Sequence, residues 1–152
     1  MSYIDLSLKQ KNAKEREFYK LSEIINNNKI SVILGAPGSG KSSLFKKYFE
    51  ENQSTTKNLK VKEFIRLTVN INEDIKVLLL DGLDEYRVVS KDKTFVLSEL
   101  GHKLNGLLES HKDLKVVISC REMDWYGESD KNALKDQMNF EAVLFNILPL
   151  NK

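Results

Sequence analysis

Residues 35–42, GAPGSGKS, combine residue types that together can bind a chain of phosphates. The segment matches the pattern G-x-x-x-x-G-K-S/T, with Gly35, Gly40, Lys41 and Ser42 at the defining positions. Glycine lets the backbone approach an anion closely, and the lysine ammonium can reach the β and γ phosphates. The serine hydroxyl can join the shell of a magnesium ion, which prefers oxygen ligands. The spacing therefore predicts a loop that binds a nucleoside triphosphate with Mg2+.

A strand must deliver this loop and a helix must follow it, because backbone N–H groups at a helix N-terminus hold the phosphates. Residues 30–34 are mostly apolar, and Leu44, Phe45, Tyr48 and Phe49 follow the loop with helical spacing. A glycine-rich turn that matches by chance is less favoured once both flanks are considered. The expected nucleotide-binding residues are Gly35, Ala36, Pro37, Gly38, Ser39, Gly40, Lys41, Ser42 and Ser43.

Residues 77–85, VLLLDGLDE, are the second stretch whose side chains could take part in chemistry. The apolar run predicts a strand buried on both faces of a parallel sheet, with acids at its carboxyl end. Asp81 has the residue type and position to hold magnesium through a water molecule. Glu85 could orient and deprotonate an attacking water, and Asp84 could fix that base or join the metal shell. A strand that merely ends in a turn is the alternative, and Lys41 in the same chain weighs against it.

Another apolar strand, KVVIS at 115–119, brings Arg121 to the same edge of the predicted sheet. Its planar guanidinium could contact the γ-phosphate and so detect its presence. The alternative is a surface ion pair between Arg121 and Glu122. His102 and His111 have no partner at metal-ligand spacing, so we expect surface or capping residues there.

The composition restricts the classes of protein that fit. A chain of 152 residues suits one domain, and 24 Lys and Arg against 22 Asp and Glu offer no overall attraction to nucleic acid or acidic membranes. Cys120 is the only cysteine, so an internal disulfide is excluded and a reducing compartment, the cytoplasm, is expected. No apolar run approaches the roughly 20 residues that cross a bilayer. We therefore expect neither a membrane nor a nucleic-acid partner.

Strand candidates alternate with helical segments, which predicts an α/β domain with a mostly parallel sheet of about five strands. The expected architecture is a three-layer P-loop NTPase core. The strand candidates lie at 30–34, 59–63, 77–80, 115–119 and 140–148, and the helices at 12–25, 41–50, 95–108 and 131–138. Residues 2–8 are expected to form an edge strand or clasp, 51–60 an exposed connection, 64–71 a compressed crossover, and 85–93 a loop.

The loop at 35–42, the VLLLDGLDE stretch and ISCREMDW at 118–125 together resemble the NTPase domain of NACHT-type STAND proteins. These proteins are relatives of the AAA+ ATPases and act as signal-transduction switches. The most discriminating piece is DGLDE, in which a small residue after Asp81 precedes a pair of acids. Cys120, Arg121 and Trp125 are similar to the sensor strand of bacterial members, which are often involved in defence against phage.

This resemblance implies ATP and Mg2+ as the ligands. It assigns phosphate and magnesium binding to Lys41 and Ser42, and metal binding to Asp81. Hydrolysis would depend on Asp84 and Glu85, and the sensor role would belong to Arg121.

The likeness covers most of the chain from Ile30 onward, with two departures. The interval before Val77 is short for the family, and the helical lid that follows a strand like 140–148 is absent here. We therefore expect residues 1–29 to form an extended segment and helix, and 30–152 the NTPase core of a longer protein. Its partners would be the C-terminal lid and sensor domains and, on activation, further copies in an oligomer.

The leading hypothesis is an ATP-binding, slowly hydrolysing switch module. A rival is a nucleotide-binding regulatory or scaffolding domain that does not hydrolyse. An AAA+ motor that handles nucleic acid is less favoured, because no basic stripe interleaved with aromatic residues is present.

Overall fold

The computed structural model describes residues 8–10, 19–36, 38–67, 70–90 and 95–147. The strands are β1 Leu8–Gln10, β2 Ile30–Gly35, β3 Thr56–Lys60, β4 Val77–Asp81, β5 Lys115–Arg121 and β6 Ala142–Ile147. The helices are α1 Leu21–Asn27, α2 Lys41–Glu51, α3 Val61–Arg66, α4 Leu83–Val89, α5 Phe95–Ser110 and α6 Gly127–Lys135. A short 3₁₀ turn spans Glu122–Asp124.

The strands form one sheet in the order β1-β6-β2-β5-β4-β3. Strand β1 runs antiparallel to β6 at one edge, and the other neighbouring pairs are parallel. The predicted α/β fold with a mostly parallel sheet is confirmed, and β1 adds one strand to the five expected. Leu8, the last residue of the expected extended segment, begins this edge strand, while residues 2–7 lie outside the described residues.

Helices cover both faces of the sheet, which gives the three layers expected. Side chains along β2 alternate, so that Ile30, Val32 and Leu34 enter one core cluster and Ile33 enters the other. Buried side chains of α1 and α2 pack on the Ile33 face, and those of α3, α4, α5 and α6 pack on the opposite face. The described N-terminal elements β1 and α1 therefore share the sheet and core of the rest of the chain.

The strand order places a topological switch point between the carboxyl ends of β2 and β5. The helix that follows β2 covers one face of the sheet, and the helix that follows β5 covers the other. In open α/β sheets, ligands bind outside the carboxyl ends of the strands at such a switch point. Gly35 pairs with Arg121 here, and Lys60 pairs with Asp81 nearby along the same edge.

The second strand of the parallel sheet differs from its prediction. The expected strand at 59–63 lies earlier, as β3 Thr56–Lys60, and half of the expected connection at 51–60 therefore belongs to the sheet. Polar residues suit β3 because it is the edge strand. Helix α3 starts at once, since the Lys60 backbone N–H donates to Glu63 Oε1 at 3.0 Å and Val61 and Phe64 are buried. Helix α3 takes up residues 64–66 of the compressed crossover expected at 64–71, of which residues 68 and 69 lie outside the described residues.

The expected loop at 85–93 is wrong in its first half, because α4 spans Leu83–Val89. Gly82 adopts φ 81°, which turns the chain directly from β4 into this helix. Asp84 and Glu85 occupy the first turn, where negative charge complements the helix dipole. Residues 91–94 lie outside the described residues.

The other elements agree with the sequence patterns, with shifted ends. Helix α5 and strand β6 confirm the expected helix at 95–108 and strand at 140–148, whose last residue is not described. Helix α1 covers only the end of the expected 12–25, of which 12–18 are not described, and α6 begins four residues before the expected 131. Within the described residues, no helix is long and apolar enough to cross a membrane.

Candidate functional site

The glycine-rich loop connects β2 directly to α2, as the sequence predicts. The Ser39 backbone N–H donates to Ala36 O at 3.0 Å, and Gly38 and Gly40 have φ values of 76° and 99°. A Cβ at position 35 would lie 2.3 Å from Ser39 Oγ, so any larger residue there would force the Ser39 side chain to move. Pro37 lies outside the described residues.

Lys41 and Ser39 give the loop its polar side chains. Lys41 Nζ donates to Gly35 O at 3.2 Å, so the ammonium lies over the loop that would receive the phosphates. Ser39 Oγ is buried without a hydrogen-bond partner in the described part of the chain. An orphaned hydroxyl inside such a loop is a donor available to an anion. Ser43 is exposed in the first turn of α2.

Asp81 is the centre of a polar cluster that joins the loop to three strands. Ser42 Oγ donates to Asp81 Oδ2 at 3.0 Å, and Ser119 Oγ donates to Asp81 Oδ1 at 2.5 Å. Lys60 Nζ donates to Oδ2 at 3.2 Å. The Gly82 backbone N–H donates to Ser119 Oγ at 2.9 Å, which fixes that hydroxyl.

The surroundings of Asp81 keep its carboxylate ionised. Burial opposes ionisation, but the hydrogen bond from Ser119, the charge of Lys60 and the hydrogen bond from Ser42 outweigh it and lower the pKa of Asp81. For Lys60, burial also opposes the charged form, yet the carboxylates of Asp81 and Glu85 raise its pKa. The two groups therefore face each other as an ion pair.

Glu85 lies at the rim of the cluster. Its carboxylate is 3.6 Å from Lys60 Nζ, and its side chain is 65% exposed. It lies in the first turn of α4, soon after the end of β4, so it projects beside the Asp81 cluster while remaining accessible to water. A general base must reach the water that it deprotonates, and this position meets that requirement.

Asp84 and Arg121 form a second cluster, beside the first. The Arg121 backbone N–H donates to Asp84 Oδ1 at 3.1 Å, and Arg121 Nε lies 3.4 Å from Asp84 Oδ2. The guanidinium also donates to Asp124 Oδ2 at 2.6 Å, and this bond is the main reason that the pKa of Arg121 is raised. The carboxylate partners of Arg121 are thus Asp124 and Asp84, where the sequence alternative named Glu122.

The oxygen atoms present fit a magnesium ion that keeps several waters. Within the described residues, no group of three or more His, Cys, Asp or Glu side chains could hold a metal alone. Mg2+ usually takes only one or two protein oxygens and completes its shell with water and phosphate. Ser42 Oγ and Asp81 Oδ2 supply such a pair at 3.0 Å, and the ammonium of Lys60 on Asp81 shows that the position accommodates a cation.

Lys60 and Ser119 belong to the site although neither was among the expected site residues. Lys60 lies where the expected exposed connection at 51–60 overlaps the expected strand at 59–63, and the register of β3 on β4 pairs it with Asp81. Ser119 lies on β5, one strand further along the sheet. The carboxyl ends of parallel strands meet at one edge of the sheet. Applied to β3 and β5, this rule would have indicated both Lys60 and Ser119.

The histidines lie away from this site. His102 is exposed on α5, and His111 follows the last turn of that helix. His111 Nε2 is 2.5 Å from Ile71 O, and its Nδ1 is 3.3 Å from Leu107 O. The structure thus gives His111 backbone contacts, in agreement with the expected surface or capping role.

The sheet order, the loop between β2 and α2, and the acidic end of β4 define the fold of a P-loop NTPase core. No protein-family model matches the chain, and no curated protein is significantly similar to it in sequence.

Solved structures with a related fold include the Walker-type ATPase PABY2304 of Pyrococcus abyssi, with 14% identity and a TM-score of 0.47. That similarity covers 87% of this chain and 52% of the other. PCH-2 of C. elegans has 17% identity and a TM-score of 0.40, over 81% of this chain and 37% of the other. The chain therefore spans about half of the first protein and a smaller share of the second. Because both TM-scores are low, the assignment of the fold depends on the strand order and the glycine-rich loop alone.

Proposed function

We propose that the chain is the ATP-binding, slowly hydrolysing NTPase module of a STAND/NACHT-type signalling switch that uses Mg2+. The observation that carries the proposal is the 3.0 Å contact between Ser42 Oγ and Asp81 Oδ2, which joins the loop to the acidic strand. In a site that binds Mg-nucleotide, the loop and the acidic strand each supply one oxygen for the magnesium ion. Two motifs that matched by chance would have no reason to lie in contact.

The described side chains suit distinct roles in phosphoryl transfer. The backbone of the loop and Lys41 bind the triphosphate, while Ser42 and Asp81 would hold the metal ion. When bound, Mg2+ supplies positive charge that neutralises the phosphate oxygens. Glu85 orients and deprotonates water from an exposed position at the rim.

Slow hydrolysis is expected because Arg121 and Lys60 are already paired with carboxylates. Asp84 and Asp124 engage Arg121, and Glu85 shares Lys60 with Asp81. Rapid hydrolysis usually requires a further positive charge, often worth about a thousandfold or more. In the proposed switch, a C-terminal lid or a neighbouring copy would supply this charge after activation. A role in bacterial defence against phage would follow from the sequence resemblance.

A non-hydrolysing nucleotide-binding regulatory domain is the second candidate. The observation that favours it is the 3.6 Å separation between Lys60 Nζ and Glu85 Oε1, because an ammonium in contact with this carboxylate competes with the water that Glu85 would have to bind.

The test separates the two candidates. We expect the 152-residue chain to bind Mg-ATP and to hydrolyse it very slowly. In the proposed longer protein, Glu85→Gln should leave Mg-ATP binding intact and abolish phosphate release, whereas Glu51→Gln on the exposed end of α2 should change neither. Calorimetry and a phosphate-release assay measure the two properties. Hydrolysis by the longer protein that never exceeds the Glu85→Gln background would favour the regulatory domain.

A further inference from the structure

We propose that Lys60 is the built-in counter-ion of the magnesium site, and that binding of the Mg-nucleotide displaces its ammonium from Asp81. The inference rests on the proposed function and adds a residue to it. Lys60 would act as an internal cation that competes with the metal, so it would set how much the metal contributes to nucleotide affinity.

The geometry places the ammonium on the oxygen that the metal needs. Lys60 Nζ is 3.2 Å from Asp81 Oδ2, and Ser42 Oγ donates to that same oxygen at 3.0 Å. Asp81 Oδ1 is already engaged by Ser119 at 2.5 Å. A cation bound between Ser42 and Asp81 must therefore share Oδ2 with Lys60 or replace it.

The backbone holds Lys60 in this position. It is the last residue of β3, and the parallel register sets it directly beside Asp81. Its backbone N–H is bound by Glu63 at the start of α3, so the Cα cannot drift from the strand end. A ligand would therefore displace the half-exposed side chain of Lys60 more readily than its backbone.

The side chain has both room and a second partner for such a movement. It is 47% exposed, and it lines a cavity of about 440 Å3 between α3 and α4. Arg66, Tyr86 and Val89 form other parts of the wall. Glu85 Oε1 lies 3.6 Å from the ammonium on the same side, so Lys60 keeps one carboxylate contact when it leaves Asp81.

Charge determines the outcome of the competition. A hard divalent cation interacts more strongly with a carboxylate oxygen than an ammonium does, and it also bridges to phosphate oxygens. The ammonium in turn keeps Asp81 ionised and stabilises the protein before the ligand arrives. We therefore expect Mg2+ to increase the nucleotide affinity less than it would if Lys60 did not contact Asp81.

The experiment uses adenylyl imidodiphosphate, a non-hydrolysable ATP analogue, and measures its Kd in excess Mg2+ and in EDTA. In Lys60→Met we expect roughly twofold to fivefold tighter binding in Mg2+, the effect of removing one partly exposed ion pair, with unchanged affinity in EDTA. The thermal midpoint of the nucleotide-free variant should fall, and that of the Mg-nucleotide complex should fall less.

Two further variants serve as controls. Lys60→Arg keeps the charge and should retain the wild-type dependence on Mg2+, while Lys57→Met removes a charge from the same strand away from Asp81 and should change nothing. Unchanged binding of Lys60→Met in Mg2+, or a loss of affinity in EDTA, would overturn the inference, since the second result means that Lys60 binds phosphate. Failure of the wild-type protein to bind the analogue at all would instead refute the proposed function.

Discussion

Lys41 is the residue whose position most directly links the loop to a ligand. Its ammonium lies 3.2 Å from Gly35 O, over a loop in which the hydroxyl of Ser39 has no hydrogen-bond partner among the described residues. A triphosphate would replace a single carbonyl contact with charged oxygens, and hydrogen bonds between charged groups are shorter and stronger than neutral ones.

We expect Lys41→Ala to weaken Mg-ATP binding by roughly ten- to a hundredfold, because a hydrogen bond to a charged group contributes about 1.5–3 kcal/mol. Lys46→Ala, which removes a charge from the exposed side of the same helix, is the matched control. Isothermal titration with Mg-ATP measures both affinities. Equal affinities for the wild type and Lys41→Ala would contradict the phosphate-binding assignment of the loop.

At the scale of elements, α4 depends on the sharp turn at Gly82. This residue has φ 81°, and a Cβ there would lie 3.1 Å from the carboxylate carbon of Glu85. The turn sends the chain from the acidic end of β4 directly into the helix that carries Glu85. A side chain at this position would therefore strain the backbone and displace the candidate base.

We expect Gly82→Ala to lower the free energy of unfolding by about 1–2 kcal/mol, the cost of a left-handed conformation for a residue with a Cβ. Gly106→Ala in α5 makes the same chemical change where no atom lies within 4 Å of the new Cβ. It should stabilise the protein by roughly 0.5–1 kcal/mol. Urea unfolding distinguishes the two, and a shift of the same sign would contradict the role of Gly82.

Helices α4 and α6 are joined by a buried ion pair. Arg87 and Asp130 are each 1% exposed and form two hydrogen bonds, of which Nη2 to Oδ1 measures 3.1 Å. Arg87 Nη1 also donates to Asp124 O at 3.1 Å, and Asp130 accepts the Tyr126 backbone N–H at 2.6 Å. The pair therefore positions the turn whose Asp124 binds Arg121.

We expect Arg87→Met to destabilise the protein by roughly 3–5 kcal/mol, because it leaves Asp130 charged and buried without its partner. Arg87→Met combined with Asp130→Leu should recover much of this loss, since no unpaired charge remains. Lys131→Met breaks the neighbouring, more exposed pair with Glu141 and should cost about 1 kcal/mol or less. Denaturant unfolding of all the variants gives the comparison, and additive losses in the double variant would refute the coupling.

At the scale of the whole molecule, the near balance of charge bears on whether the protein attracts a polyanion. The sequence carries a net charge of +2, from 24 basic and 22 acidic residues. Two basic side chains at the candidate site, Lys60 and Arg121, are already paired with carboxylates. Pairing of this kind removes positive charge from the edge of the sheet that would otherwise attract a polyanion.

We therefore expect no salt-sensitive binding to DNA. Proteins that neutralise several phosphates lose affinity steeply as salt rises, through release of counterions. Fluorescence anisotropy with labelled double-stranded DNA at about 50 and 200 mM salt tests this expectation. A steep loss of measurable affinity between the two conditions would reveal a basic patch that the overall charge conceals.

Local patterns in the sequence determined the core of this protein. Three strands were visible as apolar runs, and the loop at 35–42 was visible because glycine spacing, Lys41 and Ser42 act within a few residues of one another. Since parallel strands end at one edge, Asp81 and Arg121 could also be assigned to the same region. The loop and the apolar strands depend on residues that are close in sequence. The shared edge of Asp81 and Arg121 follows from a general rule of parallel sheets.

The tertiary structure alone decided which side chains meet. The register of β3 on β4 brought Lys60 to Asp81, although the polar composition of β3 suggested a connection. Arg121 contacts Asp84 across 37 positions of sequence, and Arg87 contacts Asp130 across 43. Each of these contacts requires a register or a helix docking angle, which arises from packing of the complete core and leaves no periodic trace in the residues themselves.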